Sequence, residues 1–181
     1  MGSAQPQSHP TVAKLHYVAC GGLLTYATQL FTKATPTSPN LDSTYCVWRI
    51  SRGVVRITKN NLDQGSAVTP AAVIYAKSMD DSQNMNGVAG QVLGKMLGGS
   101  GSQAQNIIPA SAAQQPKIQA LETQIYKCLQ ANPLTAATIK WDFSYRTGTS
   151  SRPYLITYTV DFSEPNGAFS KCTNILAKFD N

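Results

Sequence analysis

The stretch that most constrains the fold runs from Asn86 to Leu129, where a glycine-rich loop leads into an amphipathic helix. The loop contains three glycines, Gly98, Gly99 and Gly101. Pro116 suits the first turn of a helix, because the N–H that proline lacks would have no partner there. After Pro116, apolar residues recur at helical spacing: Ile118, Leu121, Ile125 and Leu129. The pattern predicts a helix over residues 115–129 with one apolar face.

Strands are predicted on both sides of this helix. From Thr138 to Arg146 every second residue is apolar, which is typical of a half-buried strand. Residues 153–162 follow a short turn and predict its antiparallel partner. Tyr45–Ile50 and Val54–Lys59 predict a hairpin, and Ala71–Ala76 a short strand or an irregular segment. We therefore expect an α+β fold, a mostly antiparallel twisted sheet with one main packed helix.

The length of 181 residues suits one globular domain with its own core. Residues 1–11 are rich in Pro, Gln and Ser and predict a flexible tail, so the domain is expected over residues 12–181. No run of 18 apolar residues occurs, so no membrane span is expected.

The chain is basic, with 15 Lys and Arg against 9 Asp and Glu, a net charge of +6. A basic surface attracts nucleic acid and other polyanions. The charges are scattered, however, and a merely solvated surface is the equal alternative. Five basic residues are candidates for contacts with nucleic acid or another partner: Arg49, Arg52, Arg56, Lys95 and Arg152.

The four cysteines have no Cys-x-x-Cys spacing, so a zinc site is not predicted. Their even number and the small polar residues favour a secreted protein with two disulfides. We expect the pairs Cys20–Cys46 and Cys128–Cys172; four reduced core thiols are the alternative. The first ten residues lack the layout of a signal peptide. Met1-Gly2-Ser3 is typical of an expression leader, so we expect a signal peptide to be missing from this sequence.

The order of these pieces resembles the DNA/RNA non-specific endonuclease family, whose active site is a ββα-metal (His-Me) finger. Leu97–Gly101 matches the family's glycine loop, and Asn106-Ile107-Ile108-Pro109 matches its Asn-apolar-apolar-Pro step. Leu121-Glu122 matches the rhythm of its helix, and Ser151-Arg152-Pro153 resembles an Arg-Pro step before a late strand. The resemblance implies a nuclease-like domain with a ββα-metal-like motif that cleaves DNA and RNA with the help of a divalent ion.

The chain departs from the family at the positions that perform this chemistry. The family has an Asp-x-Gly-His motif whose His is the general base, and a helix Asn that holds the metal. Here Val88 and Gln91 stand at the Asp and His positions. Gln114, or Gln115 depending on one gap, stands at the Asn position. Glutamine does not titrate in the working range and cannot be a base, although its carbonyl makes Gln114 a weak candidate metal ligand.

We therefore expect a secreted, catalytically inactive nuclease-fold protein that binds a partner and needs no cofactor. The partner would be nucleic acid or another polyanion, or a protein if the chain is an effector or toxin-related. The alternative is an active Mg²⁺-dependent endonuclease with an atypical base. The chain has only two histidines, so that base would have to be His16 folded back, His9 lying in the tail. A binding module unrelated to nucleic acid is the third hypothesis.

Two smaller features each leave two alternatives open. The Gly98–Gly101 loop either presents backbone N–H groups to a phosphate or is a turn. Asp80 and Asp81 either bind a cation beside Asn84 and Asn86 or form a solvated acidic turn, which the irregular spacing favours.

Overall fold

The computed structural model describes residues 49–80, 87–147, 150–165 and 170–181 in full, and the backbone of two further strands. The strands β1–β8 are Ala13–Ala19, Gly22–Thr28, Arg49–Thr58, Gly87–Gln91, Ile107–Ser111, Ala136–Ser144, Leu155–Ser163 and Ile175–Asp180. The helices α1 and α2 are Pro70–Met79 and Gln115–Ala131. Single 3₁₀ turns lie at Lys59–Asn61, Lys95–Leu97 and Ala104–Asn106. The predicted tail over residues 1–11 lies outside the described residues, as do Cys20 and Cys46.

The larger sheet has six strands in the order β2-β1-β3-β6-β7-β8, and each neighbouring pair is antiparallel. The hairpin expected around Ser51–Gly53 is wrong, because these residues lie inside the continuous strand β3. β3 pairs with β1 on one side and β6 on the other, and Gly53 lies opposite Trp141. A turn there would leave both neighbours without a ladder partner, so pairing on both edges keeps the strand extended.

One face of this sheet and the apolar stripe of α2 form the main core. The predicted helix is confirmed, and so are the predicted strands β6 and β7. The helix contributes Ile118, Leu121, Ile125 and Leu129. The sheet contributes alternate residues of β3, β6, β7 and β8, among them Val55, Ile57, Ile139, Trp141, Phe143, Ile156, Tyr158, Val160 and Phe179. The alternation in β6 therefore reflects burial in the core.

The apolar segment after residue 69 is a helix, so the expectation of a strand or irregular segment over Ala71–Ala76 is wrong. Thr69 caps α1 by accepting a hydrogen bond from the Ala72 N–H at 3.3 Å, and Pro70 occupies the first turn. Ala72 and Ala76, one turn apart, are its buried residues. The described chain thus has a second, shorter α-helix besides the predicted main helix α2.

The short strands β4 and β5 form a second, two-stranded sheet between the two helices. Ile107 and Ala89 pack with the buried alanines of α1, whereas Ile108 packs into the main core that contains α2. Side chains alternate between the two faces of a strand, so each face of this small sheet is covered by a different helix. This arrangement places the start of α2 beside β4 and β5.

Cys128 near the end of α2 forms a disulfide with Cys172 before β8, as predicted. The bond closes a segment with a sequence separation of 44 residues. The described part of the chain holds no free cysteine. None of its helices is long and apolar enough to cross a membrane.

Candidate functional site

The glycine loop, residues 94–101, is held by one buried side chain. Asn106 is fully buried, and its Oδ1 accepts a hydrogen bond from the Leu93 N–H at 2.8 Å. Its Nδ2 donates to the carbonyl oxygens of Leu93 and Ser100, each at 2.9 Å. Asn106 thereby joins the two ends of the loop, and this is the structural reason for an Asn before the two isoleucines and Pro109.

The backbone N–H groups of the loop are used inside the protein. Gly98 N–H donates to the Lys95 carbonyl at 3.0 Å, Gly99 N–H to the Gly94 carbonyl at 3.0 Å, and Gly101 N–H to Ser66 Oγ at 2.9 Å. Since these three donors already have acceptors, the geometry favours the structural alternative over a phosphate cradle.

Two glycines of the loop are required by sterics. Gly98 has φ 99°, in the left-handed region where residues with a Cβ are strained. A Cβ at Gly99 would lie 1.6 Å from the Leu93 carbonyl oxygen, which is backbone and cannot move aside. The glycines therefore allow a close backbone approach.

Gln91, at the position of the family's base, is fixed by the same loop. Its Nε2 donates to the carbonyl oxygens of Ser66 and Gly99, each at 3.2 Å. Two carbonyl acceptors suit an N–H donor. Position 91 therefore holds an uncharged amide, which neither gains nor loses a proton in the working pH range.

Val88, at the family's Asp position, is 37% exposed. The carboxylate of Asp80 bonds Gly87, the residue that precedes Val88. Asp80 Oδ2 accepts a hydrogen bond from the Gly87 N–H at 3.0 Å, and Asp80 Oδ1 lies 3.5 Å from Arg152 Nη1. The Asp80 side chain is only 3% exposed. Asp80 therefore anchors the start of β4, and the solvated-turn alternative does not describe it; Asp81, Asn84 and Asn86 lie outside the described residues.

The two candidate positions on α2 have different surroundings. Gln114 immediately precedes the helix, and its carbonyl accepts the Ile118 N–H at 3.0 Å. Gln115 lines a small cavity together with Gln91, and the cavity measures about 10 Å³, room for about one water molecule. Gln114 is not among the residues that line it. The structure therefore brings Gln91 together with Gln115 rather than with Gln114.

This cavity is mainly apolar. Besides the two glutamines, its walls include Ile108, Ala110, Ile118, Phe143 and Ile156, and the aromatic residues Trp141 and Tyr158. Tyr158 Oη donates to the Val92 carbonyl at 2.9 Å. Burial, and then the nearby Glu122 carboxyl, raise the pKa of Tyr158 well above its usual value, so this phenol stays neutral. The cavity wall therefore offers no general base near neutral pH.

The described residues around Gln91 and Gln115 include no cluster of carboxylates for a divalent ion. Within the described residues, no group of three or more His, Cys, Asp or Glu side chains could hold a metal. Carboxylates and carbonyls are the oxygen ligands that Mg²⁺ prefers, and the Asp80 carboxylate, which lies at the start of β4, is already engaged by Arg152 and Gly87.

The sequence pattern places Glu122 in the helix but did not mark it as a buried acid. Glu122 lies on α2, is 6% exposed, and its Oε1 accepts a hydrogen bond from the Gly94 N–H at 2.8 Å. Burial raises the pKa of Glu122 to about 7, and the bond from Gly94 opposes part of that rise. Its position inside the apolar stripe, directly after Leu121, was the signal that could have marked it as buried.

Three of the five candidate basic residues are engaged within the protein. Arg49 Nη1 donates to the Thr147 carbonyl at 2.7 Å, and its guanidinium lies 4.2 Å from the centre of the Tyr145 ring. Arg52 pairs with Asp142 at 3.0 Å on the exposed face of the sheet. Arg152 pairs with the buried Asp80. These contacts give each of the three a structural role.

The other two, Arg56 and Lys95, are exposed, and neither forms an ion pair within the described ranges. Arg56 lies on β3 and Lys95 in the 3₁₀ turn that begins the glycine loop. They are therefore the candidates from the sequence that remain available to a partner.

The structure does not bring His16 to the candidate site by backbone pairing. His16 belongs to β1 and lies opposite Arg52 in the six-stranded sheet, whereas Gln91 belongs to the two-stranded sheet. His9 lies outside the described residues.

Comparison with solved structures places this arrangement in a class. A structure described as an extracellular endonuclease superposes with a TM-score of 0.51 and 12% sequence identity, covering 74% of this chain and 72% of that one. A second, described as an extracellular nuclease, has a TM-score of 0.48 and 10% identity, covering 74% of this chain and 77% of that one. No family model matches the sequence, and no curated protein matches it either.

The chain has a nuclease-like fold of the α+β class. At this level of identity the likeness concerns the fold, and the chemistry must be argued from the residues of this chain.

Proposed function

We propose that this chain is a secreted protein with a nuclease fold that does not cleave nucleic acid and acts by binding a partner. The observation that carries the proposal is Gln91. An amide stands where the family places its general base, and its N–H group is held by two backbone carbonyls.

Loss of a general base alone typically lowers a rate by about 10²- to 10⁴-fold. Val88 offers no acceptor to orient a replacement base, and the cavity beside Gln91 and Gln115 has mostly apolar walls. Together these features support a protein that keeps the nuclease scaffold without its proton chemistry.

Cleavage is tested by incubating the protein with plasmid DNA and with RNA, in Mg²⁺, in Mn²⁺ and in EDTA. We expect no metal-dependent cleavage above a buffer control. Cleavage that is abolished by EDTA and co-elutes with the protein would establish the alternative, an active endonuclease with an atypical base.

A restored site sharpens this test. Val88→Asp and Gln91→His are combined with Gln114→Asn in one variant and with Gln115→Asn in another. Because Gln115 and not Gln114 shares the cavity with Gln91, any gain of Mg²⁺-dependent cleavage is expected in the second variant. A gain confined to the first variant would contradict this assignment of the helix position.

Nucleic acid is the first partner to test, because the chain carries a net charge of +6 and has a nuclease-like fold. When phosphates are contacted, the logarithm of the binding constant falls linearly with the logarithm of the salt concentration, with a slope of about −0.7 to −0.9 per phosphate contact. We expect Arg56→Gln and Lys95→Gln each to reduce this slope by about one unit. Arg52→Gln, which removes a residue already paired with Asp142, is the matched control.

No binding at low salt would leave a protein partner. A pull-down of candidate proteins with the wild type and with the Arg56→Gln, Lys95→Gln variant would then test that outcome. The Cys128–Cys172 disulfide supports the secreted part of the proposal, because such bonds persist in oxidising compartments.

A further inference from the structure

Glu122 is a buried carboxyl group that faces the backbone of the glycine loop. The side chain projects from α2, is 6% exposed and accepts the Gly94 N–H at 2.8 Å. The contact is close, since a Cβ at Gly94 would lie 2.0 Å from Glu122 Oε2. A Cβ at position 94 would therefore force the Glu122 carboxyl group to shift.

Gly94 transmits this contact to the rest of the loop. Its carbonyl accepts hydrogen bonds from the Leu97 and Gly99 N–H groups, each at 3.0 Å. The Gly99 carbonyl in turn accepts from Ser66 N–H at 3.1 Å and Gln91 Nε2 at 3.2 Å. A change at Glu122 therefore reaches the acceptors of Gln91 through two residues.

The elements around Glu122 supply no cation to balance its charge. Lys95 in the loop and Lys59 in the first 3₁₀ turn are both exposed. Asp63, which follows that turn, accepts a hydrogen bond from the Tyr126 hydroxyl. On the sheet, Tyr158 is buried and stays neutral, while Lys140 and Asp142 lie on the exposed face. On α2 itself, Lys117 and Lys127 are exposed. Glu122 forms no ion pair within the described residues.

We propose that Glu122 is a proton-controlled latch on the glycine loop, closed when the carboxyl group is protonated and loosened when it is ionised. A buried carboxylate without a cation is costly unless water reaches it. Opening the Gly94 contact admits that water. Ionisation therefore favours an opened loop, and protonation favours the closed one.

The chemistry places the switch near neutral pH. Burial raises the pKa of Glu122 from 4.5 to about 7 in the closed loop. In an opened, hydrated loop the carboxyl would regain its ordinary pKa, so opening becomes easier as pH rises between these values. The inference concerns loop order and does not depend on the proposed absence of cleavage.

The test is NMR of the wild-type protein between pH 5.5 and 8.5. The Glu122 side-chain carboxyl carbon and the Gly94 amide are expected to titrate together with a midpoint near 7. After correction for the intrinsic pH dependence of exchange, amide exchange of Gly98 and Gly99 is expected to accelerate by about 30-fold across this range, the ratio given by pKa values of 4.5 and about 7.

Two variants provide the controls. Glu122→Gln keeps an acceptor for Gly94 but cannot ionise, so the pH-dependent acceleration should disappear. Glu164→Gln removes the chain's other glutamate, which is partly exposed and accepts a hydrogen bond from Thr135. This variant should keep the pH-dependent acceleration of amide exchange.

A Glu122 midpoint near 4.5, or the same acceleration in Glu122→Gln, would overturn the proposal. If Glu122→Gln does not fold, the wild-type carboxyl titration alone decides: a midpoint near 7 shared with Gly94 supports the latch, and separate midpoints contradict it.

Discussion

The glycine loop and the positions of the family's acid–base chemistry lie side by side but have different physical roles. The loop, residues 94–101, is fixed by buried hydrogen bonds from Asn106 and by glycines with no room for a Cβ. Val88, Gln91 and Gln115 are partly exposed, and few packing requirements act on them. A fold can therefore keep the first region and lose the chemistry of the second.

A resemblance in the loop therefore does not by itself imply an activity. The loop residues are fixed by buried contacts, whereas the second region makes fewer of them.

Gly99→Ala should have the largest effect. The new Cβ would lie 1.6 Å from the Leu93 carbonyl oxygen, so the backbone must move. We expect a loss of at least about 4 kcal/mol in the free energy of unfolding, or failure to fold. Urea denaturation measures it, with Ser102→Ala at the exposed residue just after the loop as control. A change below about 1 kcal/mol would mean that the loop is not rigidly held.

Asn106→Ala should have the second largest effect on stability. The substitution leaves the Leu93 N–H and two carbonyl oxygens without their buried partner. We expect a loss of about 3 kcal/mol by urea denaturation. Asn106→Asp keeps the acceptor for Leu93 N–H but loses both donated bonds. Equal stability of Asn106→Ala and wild type would show that the Asn106 hydrogen bonds do not hold the loop.

Glu122→Gln should change how stability depends on pH. The raised pKa of Glu122 means that the folded protein binds more protons than the unfolded chain between pH 4.5 and about 7. The stability that the proton on Glu122 contributes is therefore fully present below pH 4.5 and is lost as pH rises through 7. We expect wild type to lose about 2 to 3 kcal/mol relative to Glu122→Gln between pH 5 and 8. Parallel pH profiles of the two proteins would contradict the raised pKa.

Gln91→Ala should have the smallest effect. Its two hydrogen bonds to Ser66 and Gly99 are partly exposed, so water can replace the amide. We expect a loss of less than about 1 kcal/mol by the same denaturation measurement. A loss as large as that of Asn106→Ala would place Gln91 with the loop as a structural residue, and the contrast between the two regions would fail.

Much of the fold could be predicted from local pattern. The period of α2 and the alternation in β6 follow directly from which side chains face the core. The helix α1 was missed because its apolar run, Ala71–Ala76, shows no helical period; Thr69 and Pro70 were the available signals. The continuous strand β3 was missed because pairing with β1 on one edge and β6 on the other is a long-range property.

The assignment of Val88, Gln91 and the helix glutamine to the family's catalytic positions stays a prediction. The motif located Val88 and Gln91 on β4, but choosing between Gln114 and Gln115 required the three-dimensional packing of α2. The pairing of Arg152 with Asp80 and the burial of Glu122 join segments far apart in sequence. The predicted pair Cys128–Cys172 is confirmed, whereas the pair Cys20–Cys46 remains a prediction.

Cleavage of plasmid DNA by wild type and by Gln91→Ala in Mg²⁺ tests whether this nuclease-like fold lacks a working general base. We expect no EDTA-sensitive cleavage by either protein. EDTA-sensitive cleavage by wild type that Gln91→Ala abolishes would contradict the account, because it would make Gln91 part of a working site.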